Sequence, residues 1–360
     1  MNIKPRFLAT GIGSMPFTDP NHAIDVSLAM LPEAPIWPQL PKLGLNEQME
    51  IQYSEGIPCT VIEAEKGRMY FDTSKDCSEE FAAFYETYMN AMDPDTGTGD
   101  CSAMAISPDY SKGIYALEVR LKKTPAAAVK LPFIKVQTTG ACSFALTLVD
   151  ENKRAMFYNE EFRDVIVKAL AMKCRWQIQK FKPFAEKIIC FIDEPILSAF
   201  GSSTYVSVTR GEVIGLLTEM IEAIHRDDGI AGIHCCGNTE WSLLIDAGVD
   251  IVNFDAFEFG DTILMYADSV RKHLDRGGML AWGIVPTSPK IREQTIEGLS
   301  LKLENLMDAL ASKGIEKGRI IDQAILTPAC GTGSLEPGDA EKVFEVLSGL
   351  SIAMKKKYSS

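Results

Sequence analysis

The chain has 360 residues, 46% of them hydrophobic and 24% charged, with a formal net charge of −13. That is ample apolar material for one large core, while the dispersed acidic charge offers no basic face for nucleic acid. No run of about 18 apolar residues is present, which excludes a membrane span, and the opening MNIKPRFLATGIGSMP lacks the apolar stretch of a secretory signal, so a soluble cytoplasmic protein is expected. The nine cysteines are an odd count without the dense spacing of a stapled secreted domain, and reduced thiols are expected.

In chain order, short apolar runs recur, each followed by an amphipathic stretch of helical length. The runs are FLATGIGSM from Phe7, IKVQTTGA from Ile134, KIICFIDEP from Lys187, GIAGIHCCG from Gly229, VDIVNFDAF from Val249, MLAWGIVP from Met279 and QAILTPACG from Gln323. Helices are expected at 162–181, 209–227, 239–248, 261–277 and 296–314, with a last one in DAEKVFEVLSGLSIAMKKKY. Parallel strands alternating with crossover helices imply an α/β fold, a single (β/α)8 TIM barrel over residues 1–360 with one strand less obvious than the rest. Residues 17–130 break the pattern with PEAPIWPQLPKLG, a hairpin around TVIEAEKGRMYFD and the polar DPDTGTGDCSAMAISPDYSKG. They are expected to form an elaborated insertion after the first strand that caps the barrel mouth, with Trp37, Met49 and Tyr53 as candidate mouth residues. Cys142, Cys174 and Cys190 lie in apolar or amphipathic segments and are expected to fill space.

Active sites of such barrels lie at the carboxyl ends of the strands. Those ends carry Ser14, Thr139, Asp193 with Glu194, His234 with Cys236, Asp255, Thr287 and Cys330. His234 and Cys236 stand two apart, a spacing that puts both on one face of a strand and turns Cys235 away. Taken alone, HxC is more often a buried histidine beside inert cysteines. Cys330, at another strand end in TPACGTG, shifts the balance toward a metal: an imidazole and two thiolates suit zinc, and Asp255 on the neighbouring strand end is the acidic residue that would complete a tetrahedron.

Together these residues resemble the catalytic domain of cobalamin-independent methionine synthase. The likeness rests on IGSxP (Ile12, Gly13, Ser14, Pro16), TGxxS (Thr139, Gly140, Ser143), IDEP (Ile192 to Pro195), the HxC, and PxCG (Pro328, Cys330, Gly331), in the family's order from Phe7 onward. It implies a (β/α)8 barrel in a short form without the family's amino-terminal half, a cytoplasmic methyltransferase that makes methionine from homocysteine. His234, Cys236 and Cys330 are then zinc ligands, with Asp255 as the acidic ligand and Glu258 as its alternative. Asp193 falls on the residue that grips the substrate amine, Ile12, Gly13 and Ser14 on the stretch that holds its amino-acid end, and Glu47 on a further amine contact. Glu194 and Thr287 are the candidate catalytic positions.

Three departures bear on the methyl donor. Thr147 replaces the tryptophan expected to stack on a pterin, Ala199 replaces an acidic folate contact, and Thr287 replaces the family's catalytic histidine. A methyl-folate leaves as an amine and needs a proton donor, whereas a methyl-corrinoid leaves as cobalt(I) without one. A methyl-corrinoid donor, methylcobalamin or a corrinoid protein, is therefore expected. The competing readings are a zinc methyltransferase acting on another thiol, such as coenzyme M, and a decarboxylase of the uroporphyrinogen type. Asp193 favours a cationic amine over a sulfonate, and the acidic chain lacks the basic residues that porphyrin carboxylates need.

Overall fold

The computed structural model of the chain describes residues 3–92, 97–123 and 130–359; the start of the polar section, at 93–96, and residues 124–129 lie outside the described residues. Nine strands are present among them: β1 (Leu8–Ala9), β2 (Thr60–Glu63), β3 (Arg68–Phe71), β4 (Leu131–Thr139), β5 (Ala185–Asp193), β6 (Ile230–Cys235), β7 (Ile251–Phe254), β8 (Met279–Val285) and β9 (Ala324–Pro328). All seven expected runs become strands of one parallel, curled sheet in the order β1-β9-β8-β7-β6-β5-β4, and the expected hairpin is the antiparallel pair β2-β3. The near-continuous apolar character of these strands follows from burial of both faces. Ile188, Cys190 and Ile192 of β5 pack outward under the helices, while Ile189 and Phe191 join Leu8, Ile12, Ile230, Ile251, Met279, Ala281 and Ile325 in a separate cluster inside the curl.

The closed barrel of eight regular strands is not formed. Between β1 and β4 the chain passes through residues 33–39, which make single parallel bridges to both edges: Ser14 with Gln39 and Ile36 with Lys135. Gln39 N donates to Gly13 O at 3.0 Å, and Lys135 N donates to Pro35 O at 2.9 Å. Pro35 and Pro38 have no N–H, so this stretch of EAPIWPQ cannot sustain a ladder. That is why the eighth strand was the one least visible in the sequence.

Helices Glu160–Phe181, Arg210–Arg226 and Ile296–Ser312 start at side-chain caps on Asn159, Thr209 and Thr295, as expected for residues that compete for free backbone N–H groups. The helix expected over 261–277 is a 3-10 stretch, Gly260–Tyr266, followed by an α-helix, Ala267–Asp275. Among the described residues no helix is long and apolar enough to cross a membrane.

The insertion packs against helix Glu160–Phe181 and strand β4 through buried polar contacts. Trp37 donates its indole N–H to Gln177 at 2.8 Å, and the Tyr53 hydroxyl donates to Gln137 O at 2.7 Å. Both aromatic residues are fully buried, so they serve as packing and not as lining of an open mouth; Met49 is half-buried. Cys59 and Cys77 are joined in a disulfide that brackets the β2-β3 hairpin, which corrects the expectation that all nine cysteines are thiols. Cys142, Cys174 and Cys190 are buried within the main core, where they fill space.

One ion pair pins the start of β6. Asp250 Oδ2 accepts from Ala231 N at 2.8 Å and meets His225 Nε2 at 2.7 Å, and the hydrogen bond to Asp250 raises the His225 pKa above its usual 6.5. A raised histidine stabilises the fold fully below its unfolded pKa, and the effect is lost as pH rises through the folded value. His225→Leu is therefore expected to lower the urea midpoint more at about pH 5.5 than at about pH 8.5. Equal losses at both pH values would show that the pair contributes nothing.

Candidate metal centre

Parallel register sets the site. Thr139 pairs with Asp193, Asp193 with His234, and His234 with Asn253, so residues near the carboxyl ends of β4 to β7 form one row. With side chains alternating across each strand, this row faces the interior of the curl, directly above the apolar cluster. A ring nitrogen of His234 and the sulfurs of Cys236 and Cys330 all lie within 4.8 Å of one another, although the two cysteines are 94 positions apart in sequence, 236 to 330. Cys235 is buried in the outer core, away from this group.

The donor set fits a thiophilic cation. His234 Nδ1 is 2.5 Å from Asn253 Oδ1, while its Nε2 is sealed from solvent without a hydrogen-bond partner among the described residues. A buried polar atom left unpaired costs free energy unless something else satisfies it. Burial pushes the His234 pKa down to about 4, so the ring is neutral at pH 7 and its lone pair is available to a metal. A hydrogen bond from Cys330 brings the Cys236 thiol down to about 7, and the same bond pushes Cys330 up. The hydrogen bond between the two sulfurs thus favours thiolate character on Cys236 over Cys330. Imidazole nitrogen with two cysteine sulfurs is a zinc-type donor set.

The acidic ligand expected at Asp255 or Glu258 is not brought into this group. Asp255 is the N-cap of the short helix Ala256–Phe259, its Oδ1 accepting from Glu258 N at 2.8 Å, and Glu258 pairs with Lys290 at 2.6 Å. The local sequence favours a cap because aspartate before a helix start satisfies free N–H groups. Asp193 is placed differently: its Oδ1 is buried in the row beside His234 with no partner among the described residues, and burial pushes its pKa up to about 7.

Ile12, Gly13 and Ser14 reach the site as a clasp. Ser14 O accepts from Thr332 N at 2.8 Å and Ser14 Oγ from Gly333 N at 3.3 Å, which locks the Ile12–Ser14 arm onto the loop after Cys330. A Cβ on Gly331 would lie 2.1 Å from Ser14 Oγ, so a side chain there would push the Ser14 hydroxyl out of its bond to Gly333 N.

Glu194 and Glu47 have different work from that expected. Both Glu194 oxygens accept from the start of helix Ala141–Thr147, from Cys142 N at 3.0 Å and from Ser143 N and Oγ at 2.7 Å each, so this fully buried carboxylate positions the helix and is not free for proton transfer. Glu47 accepts from Lys112 N at 2.6 Å and Gln52 Nε2 at 3.3 Å inside the insertion, which leaves it committed and not an open amine contact. Thr287 is half-buried in the loop after β8, Thr147 is exposed, and Ala199 is half-buried after β5.

Two residues of the site were not singled out from the sequence. Lys135 is fully buried on β4, where its ammonium donates to Ile12 O and to Gln137 Oε1 at 3.2 Å and sits 4.7 Å from the centre of the Phe191 ring. Burial brings its pKa down to about 8 against the opposing pull of Asp193. Asn253 is the other. Lys135 stands between Ile134 and Val136, and Asn253 between Val252 and Phe254, and a polar residue within such an apolar run was the signal available.

No protein-family model matches the chain, and no curated protein matches its sequence. Among solved structures, the chain is similar to a B12-independent methionine synthase from Shewanella sp. W3-18-1 in complex with selenomethionine, at 15% identity and a TM-score of 0.47. That match covers 68% of this chain and 66% of the other. It is also similar to the A. niger ochratoxinase, at 14% identity and a TM-score of 0.25, over 50% of this chain and 42% of the other.

If the three residues act as a unit, Cys236→Ser and Cys330→Ser each abolish stoichiometric zinc binding, whereas Cys235→Ser retains it. Elemental analysis of the purified variants after zinc loading checks this. Equal zinc in all three would remove Cys236 and Cys330 from the ligand set.

Proposed function

We propose that the chain is a zinc-dependent methyltransferase that moves a methyl group to the thiol of homocysteine, forming methionine, with a methyl-corrinoid as donor. The observation that carries this reading is the convergence of His234, Cys236 and Cys330 at the strand ends, with a neutral imidazole whose Nε2 has no other partner. These three residues would hold the metal, and a bound zinc would supply the Lewis acidity that lowers a thiol pKa and yields a thiolate at neutral pH.

The surrounding residues suit an amino-acid thiol. The unpaired Asp193 oxygen is a buried acceptor beside the donor set and matches an ammonium group. The Ile12–Ser14 arm, clasped against the Cys330 loop, is fixed at the same rim and suits the amino-acid end of the substrate. With the buried Lys135 ammonium beneath them already donating to Ile12 O and Gln137 Oε1, the pocket favours a ligand that brings its own cation for Asp193 over one that carries a sulfonate.

In the transfer, the substrate thiolate attacks the methyl carbon, the new C–S bond forms, and the bond from carbon to the donor breaks with its electron pair leaving on the donor. A folate amine needs a proton on departure. Thr287, half-buried after β8, is a poor acid, and Glu194 is wholly engaged with the Ala141–Thr147 helix. A cobalt(I) leaving group needs no proton, which is why the corrinoid donor is favoured, whether free methylcobalamin or a corrinoid protein.

Purified zinc-loaded protein is expected to form methionine from homocysteine with methylcobalamin and not with methyl-tetrahydrofolate, read by mass spectrometry of the product. Turnover with the folate alone would overturn the donor assignment. Turnover with neither would overturn the reaction class.

A further inference from the structure

Asn253 lies on β7 with its side chain fully buried in the row that contains His234. Its amide nitrogen donates to Ala281 O at 2.9 Å and to Thr327 Oγ1 at 2.8 Å, which commits both hydrogens. The Ala281 carbonyl can only accept, so the nitrogen and not the oxygen of the amide must face it. Asn253 Oδ1 is therefore the atom that meets His234 Nδ1 at 2.5 Å. An amide oxygen has no proton to give, so the imidazole supplies it, and the neutral ring carries its hydrogen on Nδ1. The lone pair is thereby assigned to Nε2, the buried atom that has no partner.

The same side chain spans the sheet. Thr327 is on β9, two strands from β7, and the strand between them presents Ala281 directly opposite Asn253. Thr327 lies three positions before Cys330, so Asn253 ties the strand of one candidate ligand to the strand that leads into another.

We propose that Asn253, held by the Ala281 carbonyl and the Thr327 hydroxyl, is a positioning residue that fixes His234 as the Nδ1–H tautomer and presets its Nε2 against Cys330 for a single cation. The proposal rests on the metal reading given above. Partners of this kind on a ligating histidine typically change metal affinity by about 10- to 100-fold when removed.

The test has two arms. In the first, selectively 15N-histidine-labelled, metal-free wild-type protein is examined by long-range 1H–15N correlation, with His234→Gln assigning its signal among the four histidines. The expected result is a protonated Nδ1 on His234; a protonated Nε2 overturns the proposal. In the second, cobalt(II) affinity by chelator competition and the cobalt absorption spectrum are compared for wild type, Asn253→Leu and Thr327→Val. Asn253→Leu is expected to lose about 10- to 100-fold in affinity with an altered spectrum, and Thr327→Val to lose less in the same direction. An Asn253→Leu protein with wild-type affinity and spectrum overturns the positioning role. Wild-type protein that takes up no cobalt overturns the metal reading itself, and the tautomer result then decides the role of Asn253 separately.

Discussion

The constraint on which the rest depends is the in-phase parallel register of β4 to β7. Because Thr139, Asp193, His234 and Asn253 pair in sequence across four strands, every one of them faces the same side of the sheet. A shift of one residue in β6 or β7 would turn its polar group out under the helices and bring an apolar one in, Ile233 for His234 or Val252 for Asn253. The register is held from below by the interior cluster of Leu8, Ile189, Phe191, Ile230, Ile251, Met279 and Ile325, whose burial is favourable only in that phase. An apolar floor thus fixes where the polar row stands.

That row has an excess of acceptors. Asp193 Oδ1 and His234 Nε2 are both buried without partners among the described residues, and Cys236 is drawn toward the thiolate by the hydrogen bond from Cys330. The fixed cation nearby is Lys135, whose donors are already directed to Ile12 O and Gln137 Oε1, with the Phe191 ring beside it. An interior with more lone pairs than protons is poorly satisfied by itself, and a cation or a protonated amine resolves it. The electrostatics and the donor geometry therefore ask for the same kind of occupant.

Rigidity comes from the loops as much as the strands. The Ile12–Ser14 arm is clasped to Thr332 and Gly333, Glu194 caps the helix that follows β4, and Asp255 caps the one that follows β7. Each uses a short polar bond to stop a segment that would otherwise move. Gly140 belongs to the same scheme: a Cβ there would lie 2.1 Å from the Glu194 carboxylate, so its absence lets the cap sit against the strand end. The proline-rich stretch at 33–39 bridges the two sheet edges while Pro35 and Pro38 bring no N–H, and the insertion is anchored by Trp37 to Gln177 and by Tyr53 to the Gln137 carbonyl on β4.

The strands, most of the helices and the pairing of His234 with Cys236 on one face were legible because they depend on local periodicity, which a single segment carries in full. So did the expectation that Cys330 stands at a strand end, since apolar runs closing on glycine mark such ends. What periodicity cannot carry is which polar groups are already spent. Asp255, Glu194 and Glu47 look available as letters, and only the folded chain shows each accepting from nearby backbone N–H groups. The irregular bridge in place of an eighth strand, the Cys59–Cys77 bond, the buried Lys135 and the reach of Asn253 across β8 to Thr327 likewise join residues distant in sequence. Local chemistry determined the elements and the kinds of donor present; three-dimensional packing decided which donors meet, because hydrogen-bond capacity is finite and is allotted only when the strands come together.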